Sequence, residues 1–487
     1  MPRRKGKDRF AAARPQRKER RPLARAALVL GLVLTALSQV SLQTAGAYSL
    51  SVEDETKLGR EFVMNIQRYY EFVEDDFAVQ YINELGQYLL KPIETQFFPF
   101  RFYILKDYTM NAFAAPGGHL FFFSGLIEMT EEVDELAAVI CHEMGHISAR
   151  HLARRIEQQK KINWATLAGL LAAALVGGEA GTAIMAGSLA ASQQALLSYS
   201  RENERQADQL EHKYMDAAGF DPAAMISTLK GLERGQWFAS SRVPKYLLTH
   251  PTGPDRIANI EVMLTNYTPK PPNRETTRFK ALFPYFRAVV RAKSMEPRDA
   301  ERLFKLDLEK DPDSAPAHLG LGIVYRDQAD FGRAIDQVNM ALKEEPGSLL
   351  ILQNLGEIYQ VAGQDREAVK ILEKALKIDN TNRAVNYLLA VSYQNQEEYK
   401  KAIRLYERLA AAGIVKNEVY YNLGMSYGRT GILGWAHYNF GIYFGRTGHM
   451  DKARFHFEKA KEEAGNDSRL QGKIQKAMED MKPERQG

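Results

Sequence analysis

Two histidines four residues apart, with a glutamate between them, form an H-E-x-x-H pattern at His142, Glu143 and His146. On a helix, positions four apart share one face, so both imidazoles can reach a single metal ion. Glu143 lies one step round the same turn, where its carboxylate can contact a water on that ion. Hydrolytic zinc sites use neutral nitrogen ligands and a base beside the water. The pattern therefore predicts a hydrolytic site with one Zn²⁺ per chain.

The residues around this pattern favour a buried helix over a chance match on a surface helix, which so short a pattern allows. Residues 133–151 are predicted to form one long helix, with acidic residues early and basic residues late. Gly145 lies inside it at a cost of about 1 kcal/mol relative to alanine, which indicates that another element packs closely there. Cys141, the only cysteine, is predicted to be a small buried side chain facing away from the metal.

A second helix, beginning near Ser198, offers the remaining metal ligand. Glu204 and Asp208 are four residues apart and share one face. Glu204 can bind the metal while Asp208 accepts the free ring N–H of a ligand histidine, most simply His142. The alternative is that Glu202, Glu204 and Asp208 only form a solvated helix face.

Four segments in one order resemble the zinc metallopeptidase superfamily that includes HtpX and the CAAX prenyl proteases. The segments are N-A-F-A-A-P-G-G at 111–118, H-E-M-G-H at 142–146, S-R-E-N-E-R-Q-A-D at 200–208 and T-H-P at 249–251. The resemblance covers residues 50 to 270 and, with the repeats described below, extends to periplasmic proteases of the BepA type. It implies the following roles: zinc ligands His142, His146 and Glu204, general base Glu143, and Asp208 as the partner of a ligand histidine.

Peptide hydrolysis also needs a hydrogen-bond donor for the oxyanion. His250 is the best candidate in the sequence, and Arg256 is a weaker one. Alternatively, His250 could occupy the fourth position on zinc and keep the site latent, or simply begin a turn before Pro251.

The segment before the H-E-x-x-H helix is a candidate for substrate binding. Residues 111–118 are predicted to form a turn and residues 119–125 an apolar strand. An edge strand near the zinc could bind extended, unfolded protein substrates by main-chain pairing with little side-chain specificity. The alternative is that Phe121 to Phe123 serve only the core. The candidate substrate-binding residues are Asn111, Ala112, Phe113 and Ala114.

The second half of the chain has an internal period of 34 residues. The repeated positions are Leu321, Leu355, Leu389 and Leu423; Tyr325, Tyr359, Tyr393 and Tyr427; and Ala300, Ala334, Ala368, Ala402 and Ala436. This pattern is typical of tetratricopeptide repeats. It predicts four regular units, a weak unit before them and an irregular final helix pair, where the phase shifts after Ala436. The concave face of such a solenoid usually binds a protein partner, although a stacking scaffold without a partner is the alternative.

The net charge of +5 is concentrated at the N-terminus, where residues 1–25 hold 11 Lys or Arg and 2 Asp or Glu. The remaining chain holds 54 basic and 58 acidic residues, a balance that does not fit a nucleic-acid binder. Residues 26–47 are uncharged and end in an A-x-A pattern, which predicts a signal peptide and export to the periplasm. The alternative is an uncleaved membrane anchor.

Residues 164–197 are largely apolar and uncharged apart from Glu179, and they predict a buried or membrane-touching helical hairpin over the active site. Such a hairpin would allow peripheral membrane contact. A transmembrane helix, and with it an integral-membrane protease, is the alternative.

The length of 487 residues exceeds one ordinary core. We predict a mainly α protein, with an α+β zincin-type peptidase domain followed by an all-α tetratricopeptide solenoid. The predicted segments are a signal peptide at 1–47, the peptidase domain at 48–266, a linker at 267–276, the repeats at 277–464 and a polar tail at 465–487.

The predicted function is an exported zinc endopeptidase whose repeats recruit its substrates or partners. By resemblance, the substrates would be misfolded or stalled envelope proteins, and the partner an outer-membrane assembly machine. The alternative is a periplasmic chaperone or assembly adaptor with a latent or silent zinc site.

Overall fold

The computed structural model describes residues 51–93, 96–158, 199–238, 245–250, 254–413 and 416–481. The predicted signal peptide at 1–47 and the predicted hairpin at 164–197 lie outside these residues. Within the described ranges, no helix combines the length and the apolar composition that crossing a bilayer requires.

The N-terminal part of the chain combines helices with a three-stranded sheet. In chain order its elements are α1 (Val52–Ile66), α2 (Asp76–Leu89), β1 (Arg101–Leu105), β2 (Ala112–Ala115), β3 (His119–Phe123), α3 (Ser124–Met129), α4 (Val133–Ser148), α5 (His151–Gln158), α6 (Arg201–Ala218), α7 (Ala224–Phe238), α8 (Lys245–Thr249) and α9 (Pro254–Met263). This α+β arrangement is the one predicted for the peptidase region.

The sheet has the order β1-β3-β2, with β1 parallel and β2 antiparallel to β3. The prediction of a turn over 111–118 is therefore only partly right, because Ala112–Ala115 is a strand and lies at the sheet edge. The turn is confined to the residues before β3, where Gly117 and Gly118 take the left-handed φ values of 74° and 82° that glycine tolerates. The apolar strand is central, and Phe121 to Phe123 are fully buried core residues.

Helices α4 and α6 cross at a point where Gly145 faces Ala207. A Cβ atom at position 145 would lie 3.0 Å from the Ala207 carbonyl oxygen and 3.2 Å from its Cα. The sequence-based expectation of close packing at this glycine is confirmed. Helix α6 begins after a capping box formed by Ser200 and Asn203, which fixes its first turn next to α4.

The helix predicted to run from 133 to 151 is shorter than expected. Helix α4 ends at Ser148, and Arg150 takes a left-handed φ of 51° before α5 begins at His151. The Arg150 guanidinium forms an ion pair with the buried carboxylate of Glu55 on α1. Local periodicity gives no sign of this turn, because the contact that accompanies it comes from another helix.

The C-terminal part is all-helical, as predicted. Its elements are α10 (Arg274–Ser294), α11 (Pro297–Lys310), α12 (Ala315–Asp327), α13 (Phe331–Glu344), α14 (Leu349–Val361), α15 (Asp365–Ile378), α16 (Arg383–Asn395), α17 (Tyr399–Ala411), α18 (Asn417–Arg429), α19 (Leu433–Arg446), α20 (Met450–Glu463) and α21 (Ser468–Asp480).

The starts of these helices repeat the period found in the sequence. First helices of each pair begin at residues 315, 349, 383 and 417, and second helices at 331, 365, 399 and 433, so each series advances by 34 residues. The five periodic alanines are buried where paired helices meet. The predicted phase shift after Ala436 is wrong for the helices, since α20 and α21 begin within one residue of the continued period.

Helix α10 connects the two parts of the molecule. It packs against α2, α3 and α4 on one side and against α11 and α12 on the other. Its Phe286 ring stacks on Tyr81 of α2 with 4.4 Å between centroids, and Arg291 pairs with Glu128 of α3. One hydrophobic cluster therefore extends from the sheet region into the repeats. The predicted linker at 267–276 overlaps the start of this helix, and the predicted polar tail contains α21, whose Leu470 is buried.

A matched pair of glycine-to-alanine substitutions tests the packing of α4 on α6. Gly145→Ala should lower the urea midpoint of the metal-free protein, because overpacking at backbone atoms costs about 1–3 kcal/mol. Gly472→Ala in α21, where an added Cβ meets no atom within 4 Å, should raise stability by about 0.5–1 kcal/mol. Urea unfolding is followed by far-UV circular dichroism. An equal increase in the urea midpoint of both variants would show that α4 and α6 are not in tight contact at Gly145.

Candidate metal centre

Four buried side chains from three segments converge on one point. His142 and His146 come from α4, Glu204 from α6 and His250 from the residue after α8. One ligand atom of each residue lies within 4.8 Å of the others. The predicted ligand set is therefore brought together, and His250 joins it.

The distances between these atoms suit a tetrahedral ion. The Nε2 atoms of His142 and His146 are 3.1 Å apart, and Glu204 oxygens lie 3.5 and 3.3 Å from them, respectively. His250 Nδ1 lies 3.1 Å from Glu204 Oε1 and 3.3 Å from His142 Nε2. A tetrahedron with arms of about 2 Å, the length of zinc bonds to nitrogen and oxygen, has edges of about 3.3 Å. The distances to His142 involve Glu204 Oε2 and those to His146 and His250 involve Oε1, and all of them lie near this edge length. The four residues could therefore hold one metal ion.

Glu143 is fully buried beside this cluster. Neither of its carboxylate oxygens accepts a hydrogen bond from any described residue, and Oε1 lies 3.3 Å from His250 Nε2. A buried carboxylate without such donors is costly and is expected to have a partner that belongs to function. Its position next to the ligand cluster fits the predicted general base.

Asp208 lies behind His142, as the four-residue spacing predicted. Its Oδ1 is 3.0 Å from His142 Nδ1, on the side of the ring away from the other ligands. Arg256 of α9 donates to both oxygens of Asp208, at 3.0 and 2.7 Å, and its Nη1 is 2.8 Å from Glu204 Oε2. We interpret Arg256 as the counter-charge of two buried carboxylates, since its guanidinium is engaged by both of them. From the sequence alone, Arg256 was only a weaker candidate for the oxyanion donor.

The charges in this cluster shift the pKa values of its members. Burial raises the pKa of Glu204, but the charges of His250 and Arg256 outweigh burial and hold it well below its ordinary value. Burial and the Arg256 charge lower the pKa of His142, yet hydrogen bonds to Asp208 and Glu204 raise it to about 9. Burial lowers the pKa of His146 well below its usual range. A metal that binds here would therefore displace a proton from His142.

Two tyrosines that sequence reasoning missed hold the histidine rings. Tyr199 stacks on His146 with 3.7 Å between ring centroids, and Tyr246 stacks on His250 at 4.4 Å. The sequence signal that could have found Tyr246 is its position four residues before His250, a spacing that brings two side chains together on a helix. The backbone N–H of Tyr199 also donates to the Thr249 carbonyl at 2.9 Å, which joins the start of α6 to the segment that carries His250.

The edge strand β2 borders the cluster across a groove. Ala114 and Ala115 line one side of the groove, and His146, Ile147 and Tyr199 line the other. At the start of the strand, the buried Asn111 side chain has no hydrogen-bond partner among the described residues for either polar atom. Of the predicted substrate-binding residues, Ala112 to Ala114 belong to this edge strand, and Ala114 lines the groove together with His146.

Comparison with known proteins agrees with this architecture. Residues 78–264 match the sequence model of Peptidase family M48, and residues 362–413 match that of the tetratricopeptide repeat. The beta-barrel assembly-enhancing protease of Escherichia coli K12 is 32% identical over 243 residues, which are 48% of this chain and 50% of the relative. The mitochondrial metalloendopeptidase OMA1 of Schizosaccharomyces pombe is 32% identical over 163 residues, covering 33% of this chain and 46% of that protein.

The chain spans about half the length of the curated relatives it matches. Among solved structures, the crystal structure of MamA covers 36% of this chain and 91% of its own, with a TM-score of 0.27 and 22% identity. A likeness of this extent carries no argument about what the repeats bind.

A pair of arginine substitutions tests the role of Arg256. Arg256→Met leaves two buried carboxylates without their counter-charge, so the metal-free protein should lose about 3–5 kcal/mol of unfolding free energy. Arg205→Met in α6 removes an exposed ion pair with Glu202 and should cost no more than about 1 kcal/mol. Similar urea midpoints for the two variants would contradict the role given to Arg256.

Proposed function

We propose that this protein is an exported zinc metalloendopeptidase. The proposal starts from the matches to peptidase family M48 and, further along the chain, to the tetratricopeptide repeat. The single observation that supports this most strongly is the buried cluster of His142, His146, Glu204 and His250 with Glu143 beside it. Such a set of nitrogen and carboxylate ligands next to a further buried carboxylate is what metal-dependent hydrolysis needs.

In this proposal His142, His146 and Glu204 hold one Zn²⁺ ion, and Asp208 orients the His142 ring. Bound zinc polarises the scissile carbonyl and lowers the pKa of water. Because Asp208 accepts from Nδ1 of His142, the Nε2 lone pair of that ring is directed at the other ligands. Arg256 holds Asp208 and Glu204 in their places through their carboxylates.

Glu143 acts as the proton carrier. Its carboxylate takes the proton of the attacking water and delivers it to the nitrogen of the leaving amine. The absence of hydrogen-bond donors to its oxygens among the described residues leaves both lone-pair sets free for this task. Complete burial shields it from bulk water.

His250 is proposed to keep the resting site latent by taking the fourth ligand position. This is favoured by its Nδ1, which lies as close to Glu204 and His142 as a fourth ligand would. The same arrangement favours the second candidate function, a chaperone or assembly adaptor with a silent zinc site, since structural zinc sites are closed. The alternative role of His250 is that of hydrogen-bond donor to the oxyanion.

Substrates are proposed to be extended polypeptides that pair with the edge strand β2. The registers Phe113 with Phe121 and Ala115 with His119, together with the Phe123 N–H donated to the Asn111 carbonyl, direct the main-chain groups of Ala112 and Ala114 away from β3. These groups can form a ladder with any backbone. Asn111, whose side-chain amide has no hydrogen-bond partner among the described residues, would add a side-chain contact to the same backbone.

The biological setting is proposed from similarity. The relatives named beta-barrel assembly-enhancing protease support a role in the assembly of β-barrel proteins. Misfolded or stalled envelope proteins as substrates and the periplasm as the setting extend this proposal. The tetratricopeptide repeats are suited to bind a protein partner or the substrate itself. An uncleaved N-terminal anchor remains the alternative to soluble export.

Replacement of Glu143 distinguishes the proposed peptidase function from the alternative adaptor function. Glu143→Gln should abolish casein digestion while zinc content, measured by atomic absorption, stays at one per chain. Glu211→Gln is the control, because Glu211 is equally buried and burial raises its pKa well above the ordinary value, so the neutral amide replaces a neutral acid. If Glu143→Gln digests casein like wild type, Glu143 is not the proton carrier. If wild type and both variants all bind zinc and none digests casein, the peptidase proposal is wrong and the adaptor is favoured.

Removal of the fourth ligand tests latency. His250→Ala should raise the rate of casein digestion, because it opens a coordination position that His250 occupies at rest. Zinc content should remain near one per chain, since three ligands are kept. A variant that binds zinc and is inactive would instead assign His250 to the oxyanion.

A further inference from the structure

His146 has a partner on the side of its ring that faces away from the metal ligands. Its Nδ1 lies 2.9 Å from Nδ1 of His151, the first residue of α5. His151 Nε2 in turn lies 2.9 Å from Oε1 of Gln206 on α6. His146 and His151 are both buried. A chain of hydrogen bonds thus runs from the ligand, through a second imidazole, to the helix that carries Glu204.

Only one distribution of protons along this chain leaves His146 able to bind a metal. The oxygen of Gln206 can only accept, so Nε2 of neutral His151 carries the proton and its Nδ1 is an acceptor. His146 Nδ1 must then donate, which leaves Nε2 of His146 unprotonated. That atom is the one 3.3 Å from Glu204 Oε1 and 3.1 Å from His142 Nε2.

The turn at Arg150 makes this contact. A helix continued through residue 151 would carry His151 away from His146, whereas the left-handed φ of 51° at Arg150 turns the chain back. Tyr199 covers one face of the His146 ring, so the ring is held both at its edge and on its face.

We propose that His151 and Gln206 are positioning residues that fix the tautomer and orientation of His146 for metal binding. They have the same role for His146 that Asp208 has for His142. The partner of His142 is a carboxylate, whereas both partners of His146 are neutral groups, and His151 follows the turn at Arg150. Partners of this kind raise the basicity of a ligand histidine and pre-orient its ring. The inference rests on the proposed function, since it requires that the cluster binds a metal.

The test measures metal affinity without relying on activity. The full chain carries Glu143→Gln to prevent self-digestion, and Zn²⁺ affinity is measured by competition with a chromophoric chelator. His151→Leu should weaken Zn²⁺ binding by about 10- to 100-fold, the usual effect of losing such a partner. His151→Asn should bind almost like the parent, because its Oδ1 can accept from His146 Nδ1 as the imidazole does. The Co²⁺ absorption spectrum should change with leucine and return with asparagine.

A second pair of variants acts from the other helix. Gln206→Met removes the acceptor that sets the tautomer and should weaken binding, whereas Gln206→Glu keeps an acceptor and should preserve it. These variants decide the question if His151→Leu does not fold, as judged by circular dichroism. Parent-like affinity for a folded His151→Leu or for Gln206→Met would overturn the inference, as would equal weakening by the leucine and asparagine variants. A parent chain that binds no Zn²⁺ would instead refute the proposed function itself.

Discussion

The approach of α4 to α6 at Gly145 is the contact on which the rest of the site depends. Each helix presents two candidate functional side chains four residues apart: His142 and His146 on α4, and Glu204 and Asp208 on α6. Because residue 145 has no side chain, Ala207 packs against the α4 backbone, and the two functional faces meet. A rotation of either helix by one residue would move its pair of side chains off the shared face.

Burial of this much charge requires a counter-charge from elsewhere. Glu204 and Asp208 are both almost inaccessible to water, and burying an ion costs several kcal/mol unless it is well paired. Arg256 of α9 lies between the two carboxylates and pairs with both. Helix α9 is therefore part of the metal centre, although it supplies no ligand. The site is assembled from α4, α6, the residue after α8, and α9, which explains why so little of its surroundings is exposed.

Features that depend on residues close together in the chain could be predicted from the sequence, whereas contacts between distant residues could not. Spacing within one helix is a local property, so the shared faces of the pairs on α4 and α6 and the 34-residue spacing of the repeat helices follow from the sequence. The family resemblance is confirmed by the matches to Peptidase family M48 and to the tetratricopeptide repeat.

The contacts that were missed join residues far apart in the chain. The turn at Arg150 accompanies an ion pair with Glu55, and the order of strands in the sheet depends on pairing across a turn. Arg256 meets Asp208 only in the folded chain.

The shared hydrophobic cluster around α10 joins the sheet region and the repeats through one core. The distance between the repeats and the candidate metal ligands is therefore fixed. Under the proposed function, a polypeptide bound by the repeats would then be cut at a set number of residues from its binding point, and not at a preferred sequence.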